Sequence, residues 1–207
     1  MRKEVTAMSN HLIKRYTSGE RFFHWVNMLA FITLALTGLG LYSQKFFWLT
    51  GIFGGVGTSR GIHHYTGIVF ILTTFIIFSQ WMKDYTAPGQ DSLGTVAKEF
   101  MDPSFHGPAA GKLNAGQKML GWAVFLLGLF MGVTGLFMWF PFTLGRGLQQ
   151  WMYFLHNLGF IIFMLAMVGH VYLGTVGMPG TWRAMTKGTV TKAWARKNHG
   201  AWEGDEV

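Results

Sequence analysis

Cysteine is absent from all 207 residues. Its absence excludes disulfide frameworks, thiolate-bound zinc and protein-held iron–sulfur clusters. Acid is scarce too: nine Asp and Glu stand against 17 Lys and Arg, a formal net charge of +8. Charged residues of both signs amount to 13% of the chain, against roughly a quarter in a soluble domain. No Asp or Glu falls between Glu20 and Asp84, and none between Asp102 and Glu203. Those gaps remove the carboxylates that a glycosidase pair, a Ser–His–Asp triad or a di-iron bundle requires. A soluble nucleic-acid-binding domain can share the net charge but not this placement, and no basic cluster resembles a nucleic-acid surface.

What remains is apolar: half of the residues are hydrophobic and 16% are aromatic. Four runs without Lys, Arg, Asp or Glu read as membrane helices, at about residues 22–41, 62–82, 120–140 and 151–176. Each has about 20 residues or more, enough at 1.5 Å per residue to cross about 30 Å of hydrocarbon. Leu120–Phe140 is apolar nearly all round, whereas a helix of a soluble protein keeps a polar face. The expected fold is an all-α membrane protein, a four-transmembrane-helix bundle. It occupies residues 22–176, between an N-terminal tail (1–21) and a C-terminal tail (177–207). No small-residue cleavage site follows the first apolar run, so it reads as a retained helix.

Basic residues set the direction. Arg2, Lys3, Lys14, Arg15 and Arg21 precede the first span. Lys83, Lys98, Lys112 and Lys118 lie between the second and third, and Arg183, Lys187, Lys192, Arg196 and Lys197 follow the fourth. Only Lys45, Arg60 and Arg146 lie on the opposite side. Both termini and the 83–116 loop are therefore expected in the cytoplasm. That loop contains Pro88, Pro103 and Pro108 and is expected to be irregular, with one short helix near Leu93–Met101. The outer connection Tyr42–Gly61, rich in Gly and aromatics, should lie at the outer interface within reach of a partner.

Histidine carries the chemistry. His24 opens the first span on the cytoplasmic side. His63 and His64 open the second on the outer side, and His156 and His170 lie near the outer and cytoplasmic ends of the fourth. Membrane-embedded His is costly and marks function. His156 and His170 are 14 residues apart, close to four helical turns, so both rings leave nearly the same face about 21 Å apart. Two planar cofactors stacked along a bundle axis need that arrangement, and axial His from facing helices can hold haem iron. Pairing by depth gives His24 with His170, and His63 or His64 with His156. Neighbouring helical residues point about 100° apart, so only one of His63 and His64 can serve one iron. Two nitrogens at each depth are too few for zinc, and a proton relay would need membrane carboxylates. Gly67, Gly121, Gly128, Gly132, Gly135, Gly159 and Gly169 let a ring or a neighbouring helix approach, helix packing being the commoner use. The 13 Met read as gap fillers. His11, His106 and His199 fall in polar tails or the long loop and receive no role.

Six stretches carry a family resemblance: Glu20-Arg-Phe-Phe-His24-Trp25, Arg60-Gly-Ile-His63-His64-Tyr-Thr-Gly67, Lys112-Leu-Asn114-Ala-Gly116-Gln117-Lys118-Met119, Leu155-His156, Gly169-His170-Val-Tyr172 and Gly188-Thr-Val-Thr-Lys-Ala-Trp194-Ala. From about Arg15 to Trp202 the chain resembles the gamma subunit of membrane-bound respiratory formate dehydrogenase, a diheme cytochrome b. The resemblance implies two b-type haems held by His24, His63, His156 and His170. It also implies a quinone site, for menaquinone or ubiquinone, at Asn114, Gly116 and Gln117, whose amides can donate to a quinone carbonyl. Asn114 is equally suited to cap the third span. The implied partners are an iron–sulfur subunit and, through it, a molybdenum or tungsten catalytic subunit that oxidises formate outside the bacterial inner membrane. Electrons would cross from the outer haem to the cytoplasmic one and on to quinone. The alternatives are a cytochrome b subunit of another respiratory oxidoreductase, such as a nickel–iron hydrogenase, and a haem-free anchor or transporter.

Overall fold

A computed structural model describes residues 11–87, 98, 101, 110–141 and 145–206. In chain order they form β1 (Leu12–Lys14), α1 (Ser18–Tyr42), a 3-10 turn (Gln44–Phe46), α2 (Leu49–Ile52), α3 (Val56–Thr86), α4 (Ala115–Trp139), α5 (Arg146–Tyr172) with a π-helical turn after it (Leu173–Gly177), α6 (Thr181–Lys187), β2 (Thr189–Thr191) and α7 (Lys192–Asn198). The long helices α1, α3, α4 and α5 are each apolar and long enough to cross a membrane. The shortest of them, at 25 residues, spans about 37 Å at 1.5 Å per residue. The chain is an all-α four-helix membrane bundle. The short helix expected near Leu93–Met101 lies outside the described residues, apart from Lys98 and Met101.

Helix starts are set by local hydrogen bonds. At α1, the Thr17 hydroxyl accepts from the Glu20 backbone N–H at 3.2 Å and the Glu20 carboxylate accepts from the Thr17 N–H at 2.6 Å, a capping box. Asn114 and Gln117 repeat it at α4, and the Thr191 hydroxyl caps α7 by accepting from the Trp194 N–H at 3.2 Å.

The described residues divide into two compact units. One comprises Phe22–Ser79 and Val124–Met167. Its core is Ala30, Phe70 and Phe163, packed against Phe31, Leu34, Ile71, Val124, Leu127, Met131 and Met167. The Phe31 and Phe163 rings stand 5.1 Å apart and Phe70 and Phe163 5.8 Å apart. Gly128 faces Phe70 and Thr74, Gly132 faces Ile71, and Gly159 faces Phe130 and Met131, so these glycines serve helix packing. Side chains such as Leu29, Leu72, Leu126 and Leu165 point outward, as a lipid-facing surface requires.

The other unit comprises the chain up to Arg21, Gln80–Ala123, and Val168 onward. The segments expected as polar tails fold here. β1 and β2 pair antiparallel, with Ile13 opposite Val190. Ile13, Tyr16, Ala184, Val190, Trp194 and Ala195 form a core against Trp81, Met185 and Trp202. Gly188 ends α6 at φ +77°, and its carbonyl accepts from the Arg15 and Tyr16 N–H groups at 2.8 and 3.1 Å. His199, given no role from the sequence, is fully buried. His11 is exposed, and His106 lies outside the described residues.

Candidate functional site

In the first unit, α3 and α5 bring His63 and His156 together, with ring centroids 6.3 Å apart and planes inclined at 66°. Their Nδ1 atoms are bound alike. His63 Nδ1 lies 2.9 Å from Thr37 Oγ1 on α1, and His156 Nδ1 lies 2.9 Å from Thr134 Oγ1 on α4. Each hydroxyl already donates one turn back, Thr37 to the Thr33 carbonyl at 2.7 Å and Thr134 to the Phe130 carbonyl at 2.9 Å. A hydroxyl that donates to its helix carbonyl accepts from a ring protonated at Nδ1, the tautomer that carries its lone pair on Nε2. Each ring also has a backbone hydrogen bond, His63 with Leu34 and His156 with Met131.

The glycine after each threonine makes room for the ring. A Cβ at Gly38 would stand 3.0 Å from His63 Cε1, and one at Gly135 3.2 Å from His156 Cε1. His64 turns elsewhere and stacks on Trp139 at 4.4 Å. His63, not His64, is thus the ring that meets His156.

Two imidazoles from different helices, held close together, suit a metal that brings its other ligands with it. A bare zinc ion would need three or four protein ligands, and no group of three His, Asp or Glu that could hold a metal is found among the described residues. Metal–imidazole bonds are about 2 Å long and a ring nitrogen lies about 1 Å from its ring centre, so two rings on one metal stand roughly 6 Å apart. The observed 6.3 Å fits a metalloporphyrin.

His24 lies near the start of α1, edge-on to Trp25 at 5.4 Å. His170 lies in the last turn of α5, before the π-helical turn. His24 belongs to the first unit and His170 to the second.

In the second unit, Asn114 Oδ1 accepts from the Gln117 N–H at 2.9 Å and Gln117 Oε1 accepts from the Asn114 N–H at 3.1 Å. Capping consumes both carbonyl oxygens and leaves both side-chain NH2 groups as donors. Gly116 is exposed in the first turn of α4. The segment before this turn is clamped from both ends of the chain. Arg15 Nη2 donates to the Lys112 carbonyl at 2.6 Å, and His199 Nδ1 donates to the Gly111 carbonyl at 2.8 Å. Arg15 Nη2 also lies 3.1 Å from His199 Nε2. Burial, reinforced by the Arg15 guanidinium and opposed by the Gly111 bond, pushes the His199 imidazole down to about 4. The guanidinium lies against Tyr16, Trp194 and Trp202, within 5.5 Å of each ring centre, which favours the buried cation. Lys112 bonds Asp84 at 2.8 Å and lies 3.8 Å from Glu20.

Sequence reasoning missed Thr37, Thr134, Gly38, Arg15 and His199. A signal for the first three was present: Thr-Gly-Leu occurs in both α1 and α4, at Thr37–Leu39 and Thr134–Leu136.

A bundle of four membrane helices with imidazoles meeting across its interior defines a class, the membrane cytochromes. Comparison with known proteins narrows it. Residues 15–188 match the family described as prokaryotic cytochrome b561. The chain is 30% identical over 203 residues to the formate dehydrogenase cytochrome b556 subunit of Haemophilus influenzae, covering 94% of this chain and 84% of that one. It is 28% identical over 193 residues to the formate dehydrogenase cytochrome b556(fdo) subunit of Escherichia coli K12, covering 92% and 91%. It is 26% identical over 189 residues to the nitrate-inducible b556(Fdn) subunit of the same organism, covering 88% and 86%. The chain belongs to the prokaryotic cytochrome b561 family, and b-type haem is the cofactor that membership implies.

Proposed function

We propose that this chain is the cytochrome b subunit of a formate dehydrogenase in a bacterial inner membrane, carrying electrons across the membrane to quinone. The observation that carries the reading is the His63–His156 pair, with ring centroids 6.3 Å apart and each Nδ1 2.9 Å from a buried threonine hydroxyl. Haem b supplies a one-electron carrier when bound. The names of its relatives support formate dehydrogenase as the complex. Its partners would be an iron–sulfur subunit on the outer side and, beyond it, a molybdenum or tungsten subunit that oxidises formate.

Two haems are proposed, with His63 and His156 as the outer axial pair and His24 and His170 as the cytoplasmic pair. Both termini lie in the cytoplasm in this reading, following the basic residues. Menaquinone or ubiquinone would bind at Asn114, Gly116 and Gln117. The two side-chain NH2 groups left by the capping box are the donors a quinone carbonyl needs, and the exposed Gly116 adds no bulk beside them. Quinone reduction takes two electrons and two protons. The Lys112 ammonium, with the Asp84 and Glu20 carboxylates against it, lies in the same unit as this turn.

The test is spectroscopic. The purified chain should show a sharp reduced-minus-oxidised alpha band of a b-type cytochrome, and His170→Ala should remove one haem and abolish quinone reduction. A chain without that band would be a haem-free anchor. A His170→Ala variant with two haems and full activity would overturn the cytoplasmic assignment.

A further inference from the structure

Serine and threonine commonly bond back to the carbonyl one turn earlier in membrane helices, with no further consequence. Thr33, Thr58, Thr86 and Thr175 do so here. Thr37 and Thr134 differ from every other back-bonded hydroxyl among the described residues, because their oxygen also lies on a histidine Nδ1. They occupy equivalent places, on the helix facing each ring: α1 holds the ring of α3, and α4 holds the ring of α5. Both distances are 2.9 Å. Both threonines are sealed, at 0% and 2% exposed, and each is followed by the glycine that admits its ring.

We infer that Thr37 and Thr134 are positioning residues that fix His63 and His156 as Nδ1–H tautomers and tune the reduction potential of the haem held between them. The inference rests on the reading of these two histidines as axial ligands. A hydrogen bond from Nδ1–H to an acceptor oxygen makes the opposite nitrogen a stronger electron donor. A stronger axial donor favours ferric over ferrous iron and lowers the potential. Both rings are so bound, and the two effects act in the same direction. The Thr-Gly pair thus does two jobs in two residues: the hydroxyl takes the proton, and the glycine lets the ring come close enough to offer it.

The test compares Thr37→Val and Thr134→Val with Thr37→Ser and Thr134→Ser in the intact complex. Valine keeps the volume and removes the acceptor; serine keeps the acceptor. The readout is the midpoint potential of the haem that His63→Ala eliminates, followed at its alpha band in an optical redox titration. Each valine variant should raise the midpoint potential by about 59 mV, a roughly tenfold fall in the oxidised-to-reduced ratio at a given ambient potential for one electron, and each serine variant should restore it. Gly38→Ala is a second probe that leaves the hydroxyl in place. Its Cβ displaces the His63 ring, and the same upward shift is expected. Valine variants and Gly38→Ala with wild-type potentials would overturn the inference and leave the threonines as ordinary back-bonded residues. If His63→Ala and His156→Ala both kept full haem content, the ligand reading itself would have failed.

Discussion

At the scale of single residues, the chemistry rests on which nitrogen of each imidazole carries the proton. Thr37 and Thr134 are the residues that bear on it for His63 and His156, since a hydroxyl that donates to its helix carbonyl is left with a lone pair for Nδ1–H. Histidines and their rough depths were legible in the sequence, because a polar ring in a charge-free run stands out against its neighbours. The choice of His63 over His64 was not legible from spacing. It depends on Trp139, 75 positions away in the chain, taking the His64 ring in a stack. His199 was illegible for a similar reason. It sits in a polar stretch, and its burial arises from Arg15 and Gly111, distant in sequence. Because His199 is held down at about 4 against an ordinary value of about 6.5, the unfolded chain binds the extra proton first. Its contribution to stability is complete above about pH 6.5 and declines as pH falls toward about 4. Thermal unfolding of the purified protein should show a midpoint dropping across that window, and His199→Gln should flatten the drop. An unchanged slope in the variant would assign the acid sensitivity to other groups.

At the scale of elements, helix ends were the least legible feature. Apolar runs place the first and third spans at about Phe22 and Leu120, yet α1 begins at Ser18 and α4 at Ala115. Capping, not hydropathy, ends a helix, and the boxes at Thr17–Glu20 and Asn114–Gln117 sit in the polar approach. The double use of Asn114 can be separated by substitution. Asn114→Asp keeps the capping oxygen and loses the amide donor. It should leave thermal stability nearly unchanged while impairing quinone reduction with haem content intact. Asn114→Ala loses both, and should also destabilise the protein by about 1 kcal/mol. Normal quinone kinetics in Asn114→Asp would mean the residue only caps. Gly188 makes a different demand. Its φ of +77° disfavours any side chain, and a Cβ would stand 2.7 Å from the Tyr16 carbonyl. Gly188→Ala should therefore cost about 1–3 kcal/mol, read as a lowered unfolding midpoint with the haem spectrum retained.

At the scale of the whole molecule, four charge-poor helices made the membrane class legible from composition. Long-range folding of the two termini was not, because β1 and β2 are three residues each and carry too little pattern to register as strands. Their pairing ties Leu12–Lys14 to Thr189–Thr191, and Arg15 and His199 from the flanking chain reach the segment before α4. The central claim is that imidazoles from separate helices clamp b-type haem. Haem content per chain, measured by pyridine haemochrome assay on the purified protein and on His63→Ala and His156→Ala, tests it most directly. Two haems in the parent chain and one in each variant is the expected result; no haem in the parent chain, or an undiminished content in both variants, would contradict it.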